Sequence, residues 1–377
     1  MRAPFTFGKI ASFDDFANRE EETNRLVTNF TSQINTILIS PRRWGKSSLV
    51  NYAAYKAFKA NKNIRFVFLD LYNVRSEEEF YNLLAKEVLR ASFTKTEELV
   101  EKARKFLGQL LPQISIGVDP ETDFTLSFNW KLAKKDPSDI LNLSENIAKE
   151  KNIKFVICID EFQNIANFGD SLAIQKKLRS NWQKHKNTTY CLYGSKRHML
   201  IDVFTSVSMP FYKFGDILFL QKIARPALQK FIIKRFKDTG KTIDKKDAEI
   251  IVNLVECHPY YAQQLAQLVW LRTSKVCSPE IVEEAHWGLV MQLDFLFQTI
   301  TDTLSNTQVN FLKAVIENVE EYSSKETIKT YNLGTSANVN RIKTSLENKE
   351  IIDISGNKIS LLDPLYKFWL AKVYFKI

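Results

Sequence analysis

The chain has 377 residues, of which 45% are hydrophobic and 25% charged, and its 53 Lys and Arg against 43 Asp and Glu give a net charge of +10. This composition supports a sizeable core and excludes a disordered or collagen-like chain, and the length indicates about two or three domains. No apolar run approaches the roughly 20 residues that span a bilayer, the first residues lack the apolar stretch of a signal peptide, and the four cysteines lack metal-ligand spacing. These features predict a soluble, reduced, cytoplasmic protein.

Five apolar runs, rich in β-branched and aromatic residues, predict buried strands of a parallel sheet. The runs are Ile34–Ile39, Ile64–Leu71, Ile153–Asp160, Thr189–Tyr193 and Ile217–Leu220. The helical patterns between them are Lys46–Ala60, Glu77–Ala91, Glu97–Leu110 and Pro137–Lys151. Alternating apolar and polar residues over 113–130 predict an inserted hairpin. Strands that alternate with helices predict an α/β fold with a doubly wound or related parallel sheet.

The strand signal stops after about Arg225, and helical patterns follow. Those of a small helical domain are Pro226–Asp238, Lys245–Glu256, Tyr260–Lys275 and Pro279–Thr299. Three further helices and a hairpin are predicted over Thr307–Val319, Ser324–Tyr331, Ser336–Asn348, Ile351–Ile354 and Lys358–Leu362. Three helices with a hairpin are the pattern of a winged helix. The predicted domains are therefore an α/β core over 1–224, a helical domain over 225–300 and a winged helix over 301–377.

A phosphate-binding loop is predicted directly after the first strand, at the start of a helix. The segment matches the pattern G-x-x-x-x-G-K-[ST] at its second glycine, its lysine and its serine, while Ser40 stands in place of the first glycine. Such a loop directs backbone N–H groups at phosphate oxygens, and Ser40 is compatible with it if the position needs no positive φ. The alternative is a chance match at a helix start. The predicted nucleotide contacts are Ser40, Pro41, Arg42, Arg43, Trp44, Gly45, Lys46, Ser47 and Ser48.

Polar residues lie at the ends of the third and fourth predicted strands. Asp160 and Glu161 follow an apolar strand, where ionised carboxylates indicate a use because they avoid burial. Ligands bind at this edge of an α/β sheet, so Asp160 with Ser47 is predicted to hold Mg²⁺, and Glu161 to polarise the attacking water. A helix cap at Asp160 with a solvated Glu161 is the alternative. Ser195 either senses the γ-phosphate or caps the next helix. The predicted catalytic residues are Glu161, Lys46 and Ser195.

Six motifs, in this order, resemble those of the archaeal-type AAA+ ATPases, which belong to the STAND class of signal-transducing NTPases. The motifs are Phe16–Glu22, Ser40–Ser48, Cys158–Glu161, Gly194–Ser195, Pro210–Tyr212 and His258–Tyr261. The resemblance covers nearly the whole chain. It implies a P-loop ATPase core, a helical lid and a winged helix similar to that of replication initiators.

The resemblance also implies further site residues. Phe16 and Arg19 match the stretch that contacts the adenine, and Pro259 matches the lid proline that packs on the base. Many relatives carry an arginine close to the position of Lys213, so the resemblance identifies no arginine finger here. Lys213 or Arg197 are the substitutes that the sequence offers.

Basic residues are concentrated in one segment. Residues 171–246 hold 17 Lys and Arg against 4 Asp and Glu, a net charge of +13, which predicts nucleic acid or an acidic protein face as a partner. Solvated helix faces are the alternative. Residues 301–377 are nearly neutral, with 10 basic and 9 acidic residues, which favours a packing or autoinhibitory role for the winged helix. Its candidate recognition helix, Ser336–Asn348, nevertheless carries Asn338, Asn340, Arg341, Lys343 and Thr344, and asparagine and arginine can read base edges.

Two functions fit these features. The first is an ATP-binding, slowly hydrolysing molecular switch that uses Mg²⁺, in which the nucleotide state repositions the lid and the winged helix to control a partner. The second is a DNA-binding ATPase that acts in DNA regulation, replication or mobile-element maintenance. A nucleotide binder without turnover is a third, weaker option.

Overall fold

The computed structural model describes residues 3–11, 16–17, 19–93, 96–107, 112–116, 124–128, 137–356 and 358–377. Within them the chain forms two compact units. The first is an α/β unit of residues 19–221, and the second combines the described residues before 19 with residues 222–377. The division into three domains at 224 and 300 stays a prediction. None of the described helices is long and apolar enough to cross a bilayer.

A parallel sheet is the centre of the α/β unit. Its strands, in chain order, are β1 Thr36–Ile39, β2 Ile64–Asp70, β5 Lys154–Asp160, β6 Thr188–Gly194 and β7 Asp216–Phe219. They lie in the order β2-β5-β6-β1-β7, and every neighbouring pair is parallel. The register pairs Asp70 with Asp160 and Ile39 with Gly194, so the ends of these strands meet at one edge. The five predicted strands are confirmed, with small differences at their ends.

Helices cover the sheet and close the unit. They are α1 Glu20–Thr31, α2 Lys46–Ala60, α3 Glu77–Ser92, α4 Thr96–Leu107, α5 Ser138–Leu141, α6 Leu143–Lys151, α7 Ser171–Trp182 and α8 Arg197–Thr205. A 3-10 turn spans Phe162–Asn167, and the predicted hairpin insert has strands β3 Pro112–Ile116 and β4 Phe124–Phe128. The single helix predicted over 137–151 is wrong, because Asn142, with ψ of 0°, divides it. The Asn142 side chain donates to the Ser138 carbonyl at 2.8 Å and to Asn181 Oδ1 at 3.0 Å.

The described part of the second unit is mainly helical and includes one antiparallel hairpin. Its helices are α9 Arg225–Lys237, α10 Lys245–Leu254, α11 Pro259–Arg272, α12 Pro279–Gln292, α13 Asp294–Asp302, α14 Asn306–Ile316, α15 Lys325–Thr330, α16 Ser336–Asn348 and α17 Pro364–Trp369. The hairpin pairs β8 Ile352–Ser355 with β9 Lys358–Leu361, and residue 357 of the predicted wing lies outside the described residues. The helix predicted over 279–299 is wrong, because Leu293, with ψ of 1°, separates α12 from α13.

One hydrophobic core joins the lid helices α9 to α13 to the winged helix. Leu265 of the lid and Leu312 and Leu365 of the winged helix belong to a single buried cluster, and each is 0% exposed. Polar contacts reinforce it, since the amine of Lys367 in the winged helix donates to Glu256, in the turn before α11, at 2.7 Å. Burying a Leu side chain contributes about 1.5–3 kcal/mol, so such residues bind the lid and the winged helix into one folded body.

Candidate nucleotide-binding site

Residues 40–48, the predicted phosphate loop, connect β1 to α2 and turn through two left-handed residues. Gly45 has φ of 86° and Arg43 has φ of 63°, and glycine at position 45 avoids the strain that other side chains meet there. Ser40 has negative φ, is 1% exposed, and donates its hydroxyl proton to the Pro41 carbonyl at 3.1 Å. The first position of this loop therefore accommodates serine without backbone strain.

Arg19 supports the phosphate loop from the start of α1. Its buried guanidinium donates to the carbonyl oxygens of Trp44 at 3.1 Å and Gln221 at 2.9 Å, and to Glu22 Oε1 at 3.0 Å. Burial lowers the pKa of Arg19, and the Glu22 carboxylate opposes that shift. The sequence analysis missed this role, because no local pattern links residue 19 to a carbonyl in the loop. The adenine contact of Arg19 stays a prediction.

Ser47 and Asp160 meet at the start of α2. The Ser47 hydroxyl donates to Asp160 Oδ2 at 2.7 Å, and Asp160 Oδ1 accepts the Glu161 backbone N–H at 2.8 Å. Burial raises the pKa of Asp160, although the Ser47 hydrogen bond and the Lys46 charge act against it. No group of three or more His, Cys, Asp or Glu side chains suited to a metal occurs among the described residues. The Ser47–Asp160 oxygen pair nevertheless fits Mg²⁺, which keeps several waters and takes other ligands from phosphates.

The Glu161 carboxylate is held by a network of donors. Its Oε2 accepts from the Ser195 hydroxyl at 2.9 Å, from the Ser195 N–H at 3.3 Å and from the Gln163 amide. Arg42 of the phosphate loop donates to Ser195 Oγ at 3.3 Å. Burial alone would raise the pKa of Glu161. The Gln163 bond, the Lys46 charge and the Ser195 bonds outweigh the effect of burial, so the pKa of Glu161 is lowered. Ser195 does not cap α8, whose N-cap is Lys196.

Gln163 is a further functional candidate that no sequence pattern indicates, and it lies against Gly194 of the motif Gly194–Ser195. The Gln163 side chain is 2% exposed and passes directly beneath Gly194. A Cβ atom at Gly194 would lie 3.0 Å from Gln163 Cδ, closer still to Gln163 Oε1, and 3.3 Å from Leu200 Cδ1. Gly194 is therefore required for space, because it lets Gln163 reach Glu161.

Gly194→Ala is expected to destabilise the α/β unit and to displace Gln163 from Glu161. Overpacking of a buried site typically costs about 1–3 kcal/mol, and urea unfolding monitored by circular dichroism measures that loss. The matched control is Gly169→Ala, because a Cβ there meets no atom within 4 Å. Equal unfolding free energies for the two variants would contradict the tight approach of Gln163.

Phe16 and Pro259 belong to the second unit, and Pro259 is the first residue of α11. The turn before it is strained, since Glu256 and Cys257 have φ of 48° and 60°. Contacts of Phe16 and Pro259 with adenine stay predictions. Lys213 lies 5.2 Å from the ring centre of Tyr212, within the α/β unit.

The candidate recognition helix α16 exposes only part of the predicted base-reading set. Asn340 and Arg341 are exposed and line a groove of about 540 Å³. Asn338 instead donates to the Leu333 carbonyl at 2.8 Å, and the Lys343 amine lies 5.3 Å from the ring centre of Tyr322. Asn340 and Arg341 are therefore the residues of α16 best placed to contact a partner.

The strand order, the phosphate loop and the paired carboxylates define the class of fold. It is a P-loop NTPase core of the AAA+ type with a parallel sheet, followed by a helical lid and a C-terminal winged helix. A family model described as a probable winged helix domain matches residues 295–372. No curated protein matches the chain.

Solved structures with similar folds cover almost the whole chain. A Walker-type ATPase of Pyrococcus abyssi is 18% identical, with a TM-score of 0.67 over 96% of this chain and 97% of that one. The ORC2 protein of Aeropyrum pernix, solved as ADPNP–ADP complexes, is 12% identical, with a TM-score of 0.59 over 97% of this chain and 94% of that one. At these identities the likeness shows a shared fold.

Proposed function

We propose that this chain is an ATP-binding, slowly hydrolysing molecular switch of the STAND class, in which the nucleotide state repositions the lid and the winged helix to control a partner. The observation that carries the proposal is the hydrogen bond between Ser47 and Asp160, with Lys46 and Glu161 beside it. The ADPNP and ADP in the ORC2 complexes support an adenine nucleotide as the ligand.

Each residue of the site has a defined task in this proposal. Lys46 and the amide groups of the phosphate loop hold the β- and γ-phosphates at the N-terminus of α2. Ser47 and Asp160 would hold Mg²⁺, and the bound ion would supply positive charge that neutralises the phosphates. Glu161 accepts a proton from the attacking water, and Ser195 orients its carboxylate. The adenine contacts, Phe16, Arg19 and Pro259, complete the proposed site.

The hydrogen bonds of Glu161 are the reason to expect slow hydrolysis. Its Oε2 already accepts two bonds from Ser195 and one from Gln163. A catalytic base must be within hydrogen-bond reach of the water that it activates, and because these three bonds all end on Oε2, the proton is expected to go to Oε1. The lowered pKa also makes Glu161 a weaker base, because proton transfer to it is less favourable.

Contacts between α11 and α17 support a coupled movement of the lid and the winged helix. Tyr261 of α11 donates its hydroxyl proton to Asp363, which caps α17 through the Leu365 and Tyr366 N–H groups at 2.9 and 3.0 Å. Glu256, in the turn before α11, accepts from Lys367 of α17 at 2.7 Å. A displacement of α11 is therefore transmitted to α17 through bonded groups at two points.

The switch predicts that Mg·ATP and Mg·ADP both bind, and that they protect residues 222–377 differently against amide exchange. Titration calorimetry measures binding, and mass spectrometry of exchanged peptides measures protection. Both nucleotides should stabilise the fold, by about 2.7 kcal/mol at a concentration 100 times the Kd. Absence of binding at millimolar nucleotide would contradict the whole proposal. Identical protection with the two nucleotides would leave nucleotide binding intact and contradict the switch.

A DNA-binding ATPase acting in DNA regulation or replication is the second candidate. The exposed Asn340 and Arg341 on α16 favour it, because asparagine and arginine form bidentate contacts with adenine and guanine in a major groove. The basic segment 171–246 adds charge that fits a polyanion.

A further inference from the structure

The edge of the sheet opposite the phosphate loop carries a second set of functional candidates. All strands of a parallel sheet start at the same edge, and here β2, β5 and β6 start side by side. Each has seven residues, so this amino edge lies roughly 20 Å from Asp160 and the phosphate loop. Groups at this edge are therefore too distant to touch a nucleotide in that loop.

Positive charge accumulates at the amino edge. Residues 47–69 contain Lys56, Lys59, Lys62 and Arg65 and no Asp or Glu. Hydrogen bonds bring the loops before β2, β5 and β6 together. The Lys154 N–H donates to the Asn63 carbonyl at 3.0 Å, and the Lys154 amine donates to Asn187 Oδ1 at 2.6 Å and to the Lys186 carbonyl at 3.4 Å. Lysines from three separate loops thus lie on one surface.

The two carboxylates that most closely precede β5 in the sequence are already paired. Glu145 accepts from the Asn187 N–H at 2.8 Å and lies 3.4 Å from the Lys149 amine. Glu150 accepts from Lys102 and Lys105, each at 2.8 Å, and these two hydrogen bonds lower its pKa to about 2. Neither acid therefore offsets the charge of the lysines at this edge.

Two exposed aromatic rings on α2 adjoin the lysines. Tyr55 is 41% exposed and Phe58 is 38% exposed, whereas Ala53 and Ala57 of the same helix are fully buried. The Lys62 amine lies 4.1 Å from the ring centre of Phe58, and the Lys59 amine lies 5.4 Å from that of Tyr55. The amino-edge surface consists of Tyr55, Phe58, Lys59, Lys62, Lys154 and Lys186.

We propose that the amino-edge surface binds single-stranded nucleic acid, with its lysines on phosphates and the rings of Tyr55 and Phe58 stacked on bases. Proteins that bind single-stranded nucleic acid combine basic residues with exposed aromatic rings, because every unpaired base offers a π face for stacking. A duplex hides those faces within its own stack. An anionic membrane would take the same charge, but membrane-binding helices bury a wider apolar face than two rings. This site is separate from the nucleotide site, so the proposal does not depend on ATP hydrolysis.

Fluorescence anisotropy with labelled oligo(dT) and oligo(U) of about 20 nucleotides tests the proposal, since an aromatic and basic site of this kind takes about 4–16 nucleotides. The wild-type chain should bind both strands. Removing each ring in Tyr55→Ala and Phe58→Ala should weaken binding about tenfold. The double variant Lys59→Gln and Lys62→Gln should reduce the slope of log K against log salt by about 0.7 for each lost phosphate contact. Tyr55→Phe keeps the ring face and should bind like the wild type.

Three controls make the outcomes decisive. Circular dichroism melting shows that each variant is folded, and calorimetry with Mg·ATP shows that its nucleotide binding is unchanged. The variant Arg341→Ala on α16 should leave single-strand binding intact. Duplex DNA of the same length and vesicles containing anionic lipid are the competing ligands.

Several results would overturn the proposal. Absence of single-strand binding at low salt would do so, as would unchanged affinity after loss of both rings. If the duplex binds as tightly as the single strands, and only Arg341→Ala abolishes that binding, the nucleic-acid site lies on the winged helix instead. Vesicle binding that requires Tyr55 and Phe58, without oligonucleotide binding, would assign the surface to a membrane.

Discussion

Replacing Lys46 by Ala is expected to abolish ATP binding. Lys46 is the first residue of α2, is 7% exposed, and lies in the field of both Asp160 and Glu161. A hydrogen bond to a charged group contributes about 1.5–3 kcal/mol, and Lys46 would make such bonds to two phosphates, so the Kd should rise about 100-fold or more. Titration calorimetry with Mg·ATP measures the change directly.

The matched control for this variant is Lys56→Ala, which removes the same charge from the same helix, away from the phosphate loop. It should bind Mg·ATP like the wild type, and both variants should be checked for folding by thermal unfolding. If Lys46→Ala binds ATP with wild-type affinity, the assignment of residues 40–48 as a phosphate loop is wrong.

Replacing Glu161 by Gln is expected to stop hydrolysis while ATP stays bound. Glutamine keeps the size of the side chain and an oxygen that accepts from Ser195, but it cannot take a proton from water. Loss of a general base typically slows a reaction by about 100- to 10,000-fold. Phosphate release in a single turnover measures the rate, and filter retention of labelled ATP measures binding.

Glu150→Gln supplies the control, because it removes a carboxylate of the same unit that pairs with Lys102 and Lys105 at the surface. Its phosphate release should match the wild type. Equal rates in the wild type and Glu161→Gln would place the base elsewhere. If the wild type releases no phosphate but retains ATP, the chain is a nucleotide binder without turnover.

The parts of this site that follow from short sequence patterns could be predicted. The phosphate loop needs only a strand, a glycine-containing turn and a helix in succession, and the observed α2 begins and ends at the predicted residues. Asp160 was found because a run of buried residues ended in a carboxylate, and its bond to Ser47 joins positions 113 residues apart. The proximity of Asp160 to the phosphate loop could be predicted because the carboxyl ends of parallel strands lie at one edge of the sheet.

The parts that depend on unpatterned long-range contacts could not be predicted. Arg19 resembles any basic residue at a helix start until its guanidinium is seen on the Trp44 and Gln221 carbonyls. The φ of Gly194 is negative, so its backbone conformation does not require glycine. Only the nearby Gln163 side chain explains why a residue without a Cβ is needed at position 194. The helix break at Asn142 also depends on a long-range contact, since the Asn142 side chain donates to Asn181 of α7. No local sequence pattern indicates that contact.

The single core of the lid and the winged helix limits how this chain can be divided or recombined. The apolar side chains of residues 301–377 belong to a core that extends beyond these residues, since Leu312 and Leu365 share a cluster with Leu265 of α11 and Phe297 of α13. A cut at residue 300 would expose both halves of that cluster to water, at about 25 cal/mol for each Å² of apolar surface. An exchange of winged helices between related proteins would therefore have to carry the lid helices with it, so the two segments are expected to be inherited together.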